Sequence, residues 1–195
     1  TLYNDLGIMS SRFARLGWQG IVAVDLLTKK LLETRPYEKK KGKTDEVYQN
    51  CLKRVCDTIR QGGDLEKALE ESIDEFQQIR VDGPGTKPLI GIVGEIFVRF
   101  NRFSNEDVIL KIEQFGGEAW IAPLTEWILY VNTLAKGRSL KKRAFSNLLK
   151  VFITDYYQKK DEHQLEKIFK GHLRNFGEPK TRSIFKKAKP YLDHS

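Results

Sequence analysis

Through the first eighty residues the apolar positions return every third or fourth residue, the period of a helix with one buried face. Ile21, Val22, Val24, Leu26, Leu27, Leu31 and Leu32 form the first such run. Arg35-Pro36 ends it, because the residue before a proline is pushed out of the α region. After the charged turn Lys39-Lys40-Lys41-Gly42-Lys43, Thr44 is placed to cap a second helix, with Asp45 and Glu46 favourable in its first turn. Val47, Cys51, Val55 and Ile59 follow at a spacing of four. Gly62-Gly63 stops that helix, and Asp64 caps a third whose apolar face is Leu65, Leu69, Ile73 and Phe76. Three or more packed helices are expected here. Asp25 interrupts the first apolar run; a cap or an interhelix salt bridge is its expected role, and a buried functional carboxylate the alternative.

The segment Val81-Asp82-Gly83-Pro84-Gly85-Thr86-Lys87-Pro88 holds two glycines and two prolines and divides the chain. A helical segment over 1–85 and a second unit over 86–195 are the expected domains. Beyond the break the period changes. Leu89-Ile90-Gly91-Ile92-Val93 is a short run rich in β-branched residues, which suits a buried parallel strand. A loop over 95–104 follows, then a helix from about Asn105 with Val108, Ile109, Ile112 and Phe115 on its buried face, closed by Gly116-Gly117. Glu118-Ala119-Trp120-Ile121-Ala122-Pro123 reads as a second strand. This spacing predicts a βαβ unit. Helices are then expected from Trp127 to Ala135 and from Leu140 to Tyr157, with shorter ones near Leu165 and Ile184. The fold class is therefore α/β: helix-rich, with a partial Rossmann-like parallel βαβ unit preceded by a helical segment. Two strands do not make an independent doubly wound sheet. Part of the sheet is expected from sequence beyond these residues or from strands of weaker signal.

Composition narrows the function classes. At 195 residues the chain is long enough to bury a core without disulfides or metal. No apolar stretch approaches the roughly 20 residues that span a bilayer, so no membrane contact is expected. Thr1-Leu2-Tyr3 is not followed by a secretory leader, and the absence of Met at position 1 points to a segment cut from a longer chain. The expected location is cytoplasmic. The net charge of +8 permits anionic partners. Acidic residues are also plentiful, however, and the basic ones fall where helices show a solvated face. Nucleic acid is therefore not the expected partner.

Ligands of open α/β sheets bind outside the carboxyl ends of the strands. At that edge the two predicted strands place Gly94, Glu95, Arg99, Asn101 and Asn105 after the first, and Thr125, Glu126 and Trp127 after the second. These eight residues are the candidate ligand-binding or cleft set. The plainer reading makes Ser104 or Asn105 an ordinary helix cap, pairs Glu95 with Arg99 or with backbone amides, and packs Trp127 in a core. No glycine-rich phosphate fingerprint is present, no nucleophile–base pairing appears, and catalytic residues are not expected. Cys51 and Cys56, five apart on a helix, face different ways and do not clamp one metal. His163, His172 and His194 lack ligand spacing and read as surface residues.

Three stretches are more distinctive. They are Trp18-Gln19-Gly20-Ile21-Val22-Ala23-Val24-Asp25-Leu26-Leu27, Thr34-Arg35-Pro36-Tyr37-Glu38, and Gly91-Ile92-Val93-Gly94-Glu95-Ile96-Phe97-Val98-Arg99-Phe100-Asn101. The last continues through Phe103-Ser104-Asn105 to Leu124-Thr125-Glu126-Trp127-Ile128-Leu129-Tyr130. Over roughly residues 15–135 the chain resembles the part of bacterial CoA-substrate-specific enzyme activases that follows their ATPase modules. That part is similar to the D-component of 2-hydroxyacyl-CoA dehydratases. The resemblance implies Rossmann-like subdomains, ATP-driven electron transfer to a CoA-thioester dehydratase or reductase, and a 4Fe–4S-type iron–sulfur cluster and ATP in the intact protein. It implies no cofactor in this segment. Where related subunits place a cluster cysteine after the second strand, this chain has Leu124, Thr125 and Glu126. The partners implied are other domains of the same chain and an acyl-CoA dehydratase or reductase component. A module binding CoA or another phosphate-bearing small molecule is the alternative.

Overall fold

The computed structural model describes residues 11–175, 181–188 and 190–191. Among them the order is α1 (Ser11–Thr34), a 3-10 turn (Arg35–Tyr37), α2 (Lys43–Gln61), α3 (Leu65–Gln77), β1 (Leu89–Ile92), α4 (Ile96–Phe100), α5 (Val108–Gln114), β2 (Glu118–Ile121), α6 (Leu124–Lys141), α7 (Phe145–Phe169) and α8 (Thr181–Ala188). His194 lies outside the described residues.

The first three helices follow their local signals, with one exception. Pro36 converts the end of α1 into the 3-10 turn, and Gly62, at φ +67°, caps α2 in the left-handed region that glycine enters without a Cβ clash. The Asp64 carboxylate accepts from the amides of Glu66 and Lys67 at 3.0 and 3.2 Å and so starts α3. Thr44 does not cap α2. It lies inside the first turn, and the buried Glu38 carboxylate accepts instead from the amides of Gly42 and Thr44, both at 2.7 Å. A Glu side chain has the length to reach two orphan amides from outside the helix.

The principal core gathers Trp18, Val22, Leu26 and Leu27 of α1, Val47, Cys51 and Val55 of α2, Leu69, Ile73 and Phe76 of α3, and Leu165 and Phe169 of α7. Burying side chains of this size contributes about 1.5–3 kcal/mol each, which is why distant α7 closes over the first three helices. Trp18 Nε1 donates to the Gln158 carbonyl at 2.9 Å, and Arg15 holds the fully buried Asp161 carboxylate through Nε at 2.7 Å. The expected break between a helix ending at Tyr157 and another near Leu165 is absent. Neither glycine nor proline stands between them, and Val151, Asp155, Leu165 and Phe169 keep one buried stripe. The chain turns earlier, at Lys142–Ala144, where Arg143 takes φ +52°.

β1 and β2 pair in parallel, with Leu89 opposite Glu118 and Ile92 opposite Ile121. This makes a helix-rich α/β fold with a two-stranded parallel sheet among the described residues. β2 is covered by Leu32 of α1 and by Ile109 and Ile112 of α5. β1, expected to be buried, has three of its four residues exposed. Both strands are edges of a two-stranded sheet; α1 and α5 pack on β2 rather than on β1, so β-branched composition alone does not bury β1. Two further differences appear in the crossover. Residues 96–100 form α4 where a loop is expected, and α5 starts after Asp107 rather than at Asn105.

Polar contacts fix the sheet to the helices. Tyr37 donates to the buried Glu118 carboxylate at 2.6 Å, and Arg174 donates to the same group at 2.6 Å. Glu33 accepts from the amides of Arg174 and Asn175 at 2.9 and 2.7 Å, and Arg35 forks onto Glu113 with two bonds of 2.8 Å.

Candidate functional site

Parallel pairing sends both strands out of the sheet at one edge, so 93–107 and 122–127 leave it on the same side. The first segment is held largely by its own polar side chains. Gly94 takes φ +143°, a backbone state closed to L side chains, and a Cβ there would meet nothing within 4 Å. The turn, not close approach of another group, requires glycine. Glu95 caps α4 by accepting from the Val98 amide at 2.9 Å. Asn105 Nδ2 donates to the Val98 and Arg99 carbonyls, both at 3.0 Å, at the end of α4 where helix carbonyls lack partners. Asn101 Oδ1 accepts from the Ser104 amide at 2.9 Å. Glu95 bonds an amide rather than Arg99, and Asn105 secures the end of α4 rather than the start of α5.

Arg99 differs from its neighbours. Its guanidinium lies 5.2 Å from the Phe100 ring centroid, and its buried Nε has no hydrogen-bond partner among the described residues. The second segment turns inward. Asp25 of α1 accepts from the amides of Leu124 and Thr125 at 3.2 and 2.8 Å and so caps α6 across a gap of about a hundred residues. Thr125 is buried by this contact. Glu126 occupies the first turn of α6, where negative charge is favoured, and Trp127 is 44% exposed.

Alongside these polar groups, the edge presents large apolar side chains. Val93 and Phe97 are exposed there, and Phe103 is 94% exposed, whereas the exposed Leu89 and Phe115 lie at the opposite, amino end of the strands. Single exposed apolar residues are ordinary, but three large ones within eleven residues of one loop segment give that segment an apolar surface.

Two other electrostatic features are distinctive. Glu162 on α7 is pushed up to about 7 by burial first and by Glu166 second, with Asp25 adding to the rise and Lys29 and Lys159 opposing it. Burial also raises the Asp25 carboxyl, against the two amides it accepts from. Hydropathy alone does not single out the buried acids Glu33, Glu38, Glu118, Asp155 and Asp161. Each binds backbone amides or a cation. The available signal is position: Asp155 shares its helical face with Val151, Leu165 and Phe169.

A cavity of about 180 Å³ lies elsewhere, between α1, the start of α3 and α7, lined by Leu16, Ile59, Asp64, Asp161 and Leu165 among others. None of the eight candidate residues lines it. Cys51 is buried, with its thiol pushed up by burial, and Cys56 is exposed. A four-iron cluster takes four thiolates, so these two cysteines on different faces of α2 do not fit one. His163 is exposed, while His172 Nδ1 meets the Gln77 amide at 2.8 Å. Among the described residues no three His, Cys, Asp or Glu side chains are grouped to hold a metal, and no helix is long and apolar enough to cross a membrane.

No family model, no curated protein and no solved structure matches the chain.

Proposed function

We propose that this chain is a non-catalytic docking segment of a protein related to the CoA-substrate-specific enzyme activases and 2-hydroxyacyl-CoA dehydratases. Its β1–β2 crossover is read as part of a Rossmann-like subdomain. In this reading it serves cytoplasmic, ATP-driven electron transfer to a CoA-thioester dehydratase or reductase, whose cluster and nucleotide are held outside these residues. The resemblance over roughly 15–135 supplies the family. One observation carries the docking role: Glu95, Asn101 and Asn105 bond the loop's own backbone, while Val93, Phe97 and Phe103 are exposed. A surface of that kind suits a protein cover better than a polar ligand.

The test mixes the chain with a purified 2-hydroxyacyl-CoA dehydratase and with its activase, and follows association by sedimentation velocity. Association is expected with one of them, weakened by Phe97→Ser and Phe103→Ser, whose side chains are already in solvent. Lack of association with both overturns the proposal.

A second reading rests on Arg99, whose buried Nε has no hydrogen-bond partner among the described residues at the strand edge. It makes the edge a site for CoA or another phosphate-bearing molecule. Calorimetric titration with CoA separates the two: saturable binding abolished by Arg99→Met favours the second reading.

A further inference from the structure

α7 carries two apolar stripes, and among the described residues the fold buries one. Val151, Leu165 and Phe169 are buried on the side facing α1, α3 and α6. Phe145, Leu149, Phe152, Ile153 and Tyr156 are between 49% and 71% exposed. At about 100° per residue they centre roughly 140° around the helix from Val151, so they form a face of their own. Phe145, Leu149, Phe152 and Tyr156 step by four, three and four residues, the spacing that seats one helix against another.

The same face changes character toward its end. Lys160, His163, Lys167 and Lys170 continue it and are exposed. Within that sector, from 145 to 170, the helix presents no acidic residue. The nearby acids point elsewhere: Asp155 and Asp161 are buried and paired with Lys136, Lys159 and Arg15, and Glu162 and Glu166 fall on the Val151 side of the helix. The face therefore has an apolar part about 17 Å long, followed by a basic part of about 15 Å.

We propose that this face of α7 docks an amphipathic helix of a protein partner, with apolar residues at heptad spacing and acidic residues at the end that meets Lys160–Lys170. Charge complementarity selects this occupant. A nucleic acid needs cations along its whole path, and between Phe145 and Tyr156 α7 puts none of its own on this face, Lys150 lying on another side; the one described ammonium over the stripe, Lys136 of α6 at 4.8 Å from the Phe152 ring, is neutralised by Asp155. A second copy packed antiparallel on the stripe brings its own Lys141, Lys142 and Arg143 toward Lys160, which repels. The surface lies outside the residues that carry the family resemblance and stands without it.

The test uses the whole chain and three labelled synthetic peptides of equal length, read by fluorescence anisotropy. The first has leucines at heptad spacing and glutamates over one half, the second replaces those glutamates by lysines, and the third shuffles the leucines. The first is expected to bind and the others not. Leu149→Glu is expected to abolish binding, and the double variant Lys160→Glu with Lys167→Glu to weaken it roughly three- to tenfold. All these side chains are in solvent, and thermal melting checks that the variants fold. Equal binding of all three peptides, no binding of the first, or indifference to both variants overturns the proposal. So does tight binding of a labelled single-stranded DNA that needs Lys160 and Lys167, or self-association of the chain that Leu149→Glu removes.

Discussion

Raising the pH from about 5 to about 8 should destabilise this fold, and Glu162 should supply much of the loss. Its carboxyl titrates near 4.5 in an ordinary setting and is pushed up to about 7 in the folded chain. The folded state therefore holds this proton more tightly than the unfolded state does. The resulting stability is fully present below about 4.5 and is lost as the pH rises through about 7. Across that window one proton is worth up to about 1.4 kcal/mol per pH unit, at most about 3.5 kcal/mol in all. Glu162 is only partly buried, and water reduces the effect, so about 1–3 kcal/mol is expected. The groups facing it are Glu166 and Lys159 on α7 and Asp25 and Lys29 on α1. Glu162→Gln removes the charge while keeping the shape. Urea unfolding followed by far-ultraviolet circular dichroism, at about pH 5, 6, 7 and 8, should show a flatter stability curve for the variant. At about pH 8 it should exceed the parent by about 1–3 kcal/mol, and near pH 5 by less than about 1 kcal/mol. A residual slope is expected from Asp25, whose carboxyl burial also raises. A variant as pH-sensitive as the parent, or less stable than the parent at about pH 8, would refute the electrostatic account.

Two further outcomes follow from the same packing. Asp25→Ala strips the cap from the amides of Leu124 and Thr125 and should cost about 1–2 kcal/mol in urea unfolding, whereas Asp25→Asn, which keeps an acceptor, should cost less. Leu69→Ala empties a fully buried position between the helices and should cost about 2–5 kcal/mol; a loss below about 1 kcal/mol would mean that the core closes around the gap.

The local punctuation of the chain was legible without its neighbours. Pro36 at the end of α1, Gly62 at φ +67° and Asp64 at the start of α3 act within four residues of themselves. Their effects depend on nearby backbone sterics and orphan amides, which any reading of the order of residues includes. The crossover was legible from a change of period, since two short strand-like runs, the first rich in β-branched residues, flank a helical period. The candidate edge was legible only as a location. Glu95 and Asn105 sit where expected, yet their side chains serve the backbone of their own loop.

What tertiary structure alone decided are the contacts between residues far apart in the chain. Glu38 displaced Thr44 as the cap of α2 because it could reach two amides from outside the helix. Asp25 became the cap of α6 because α1 lies against the residues that follow β2. Leu165 and Phe169 entered the core, while the equally apolar Leu149 and Phe152 stayed in solvent, because α1 and α3 cover only one side of α7. Composition and period set how much apolar surface a helix or strand carries. Which part of it loses water is set by the elements that reach it, and that is a property of the assembled chain.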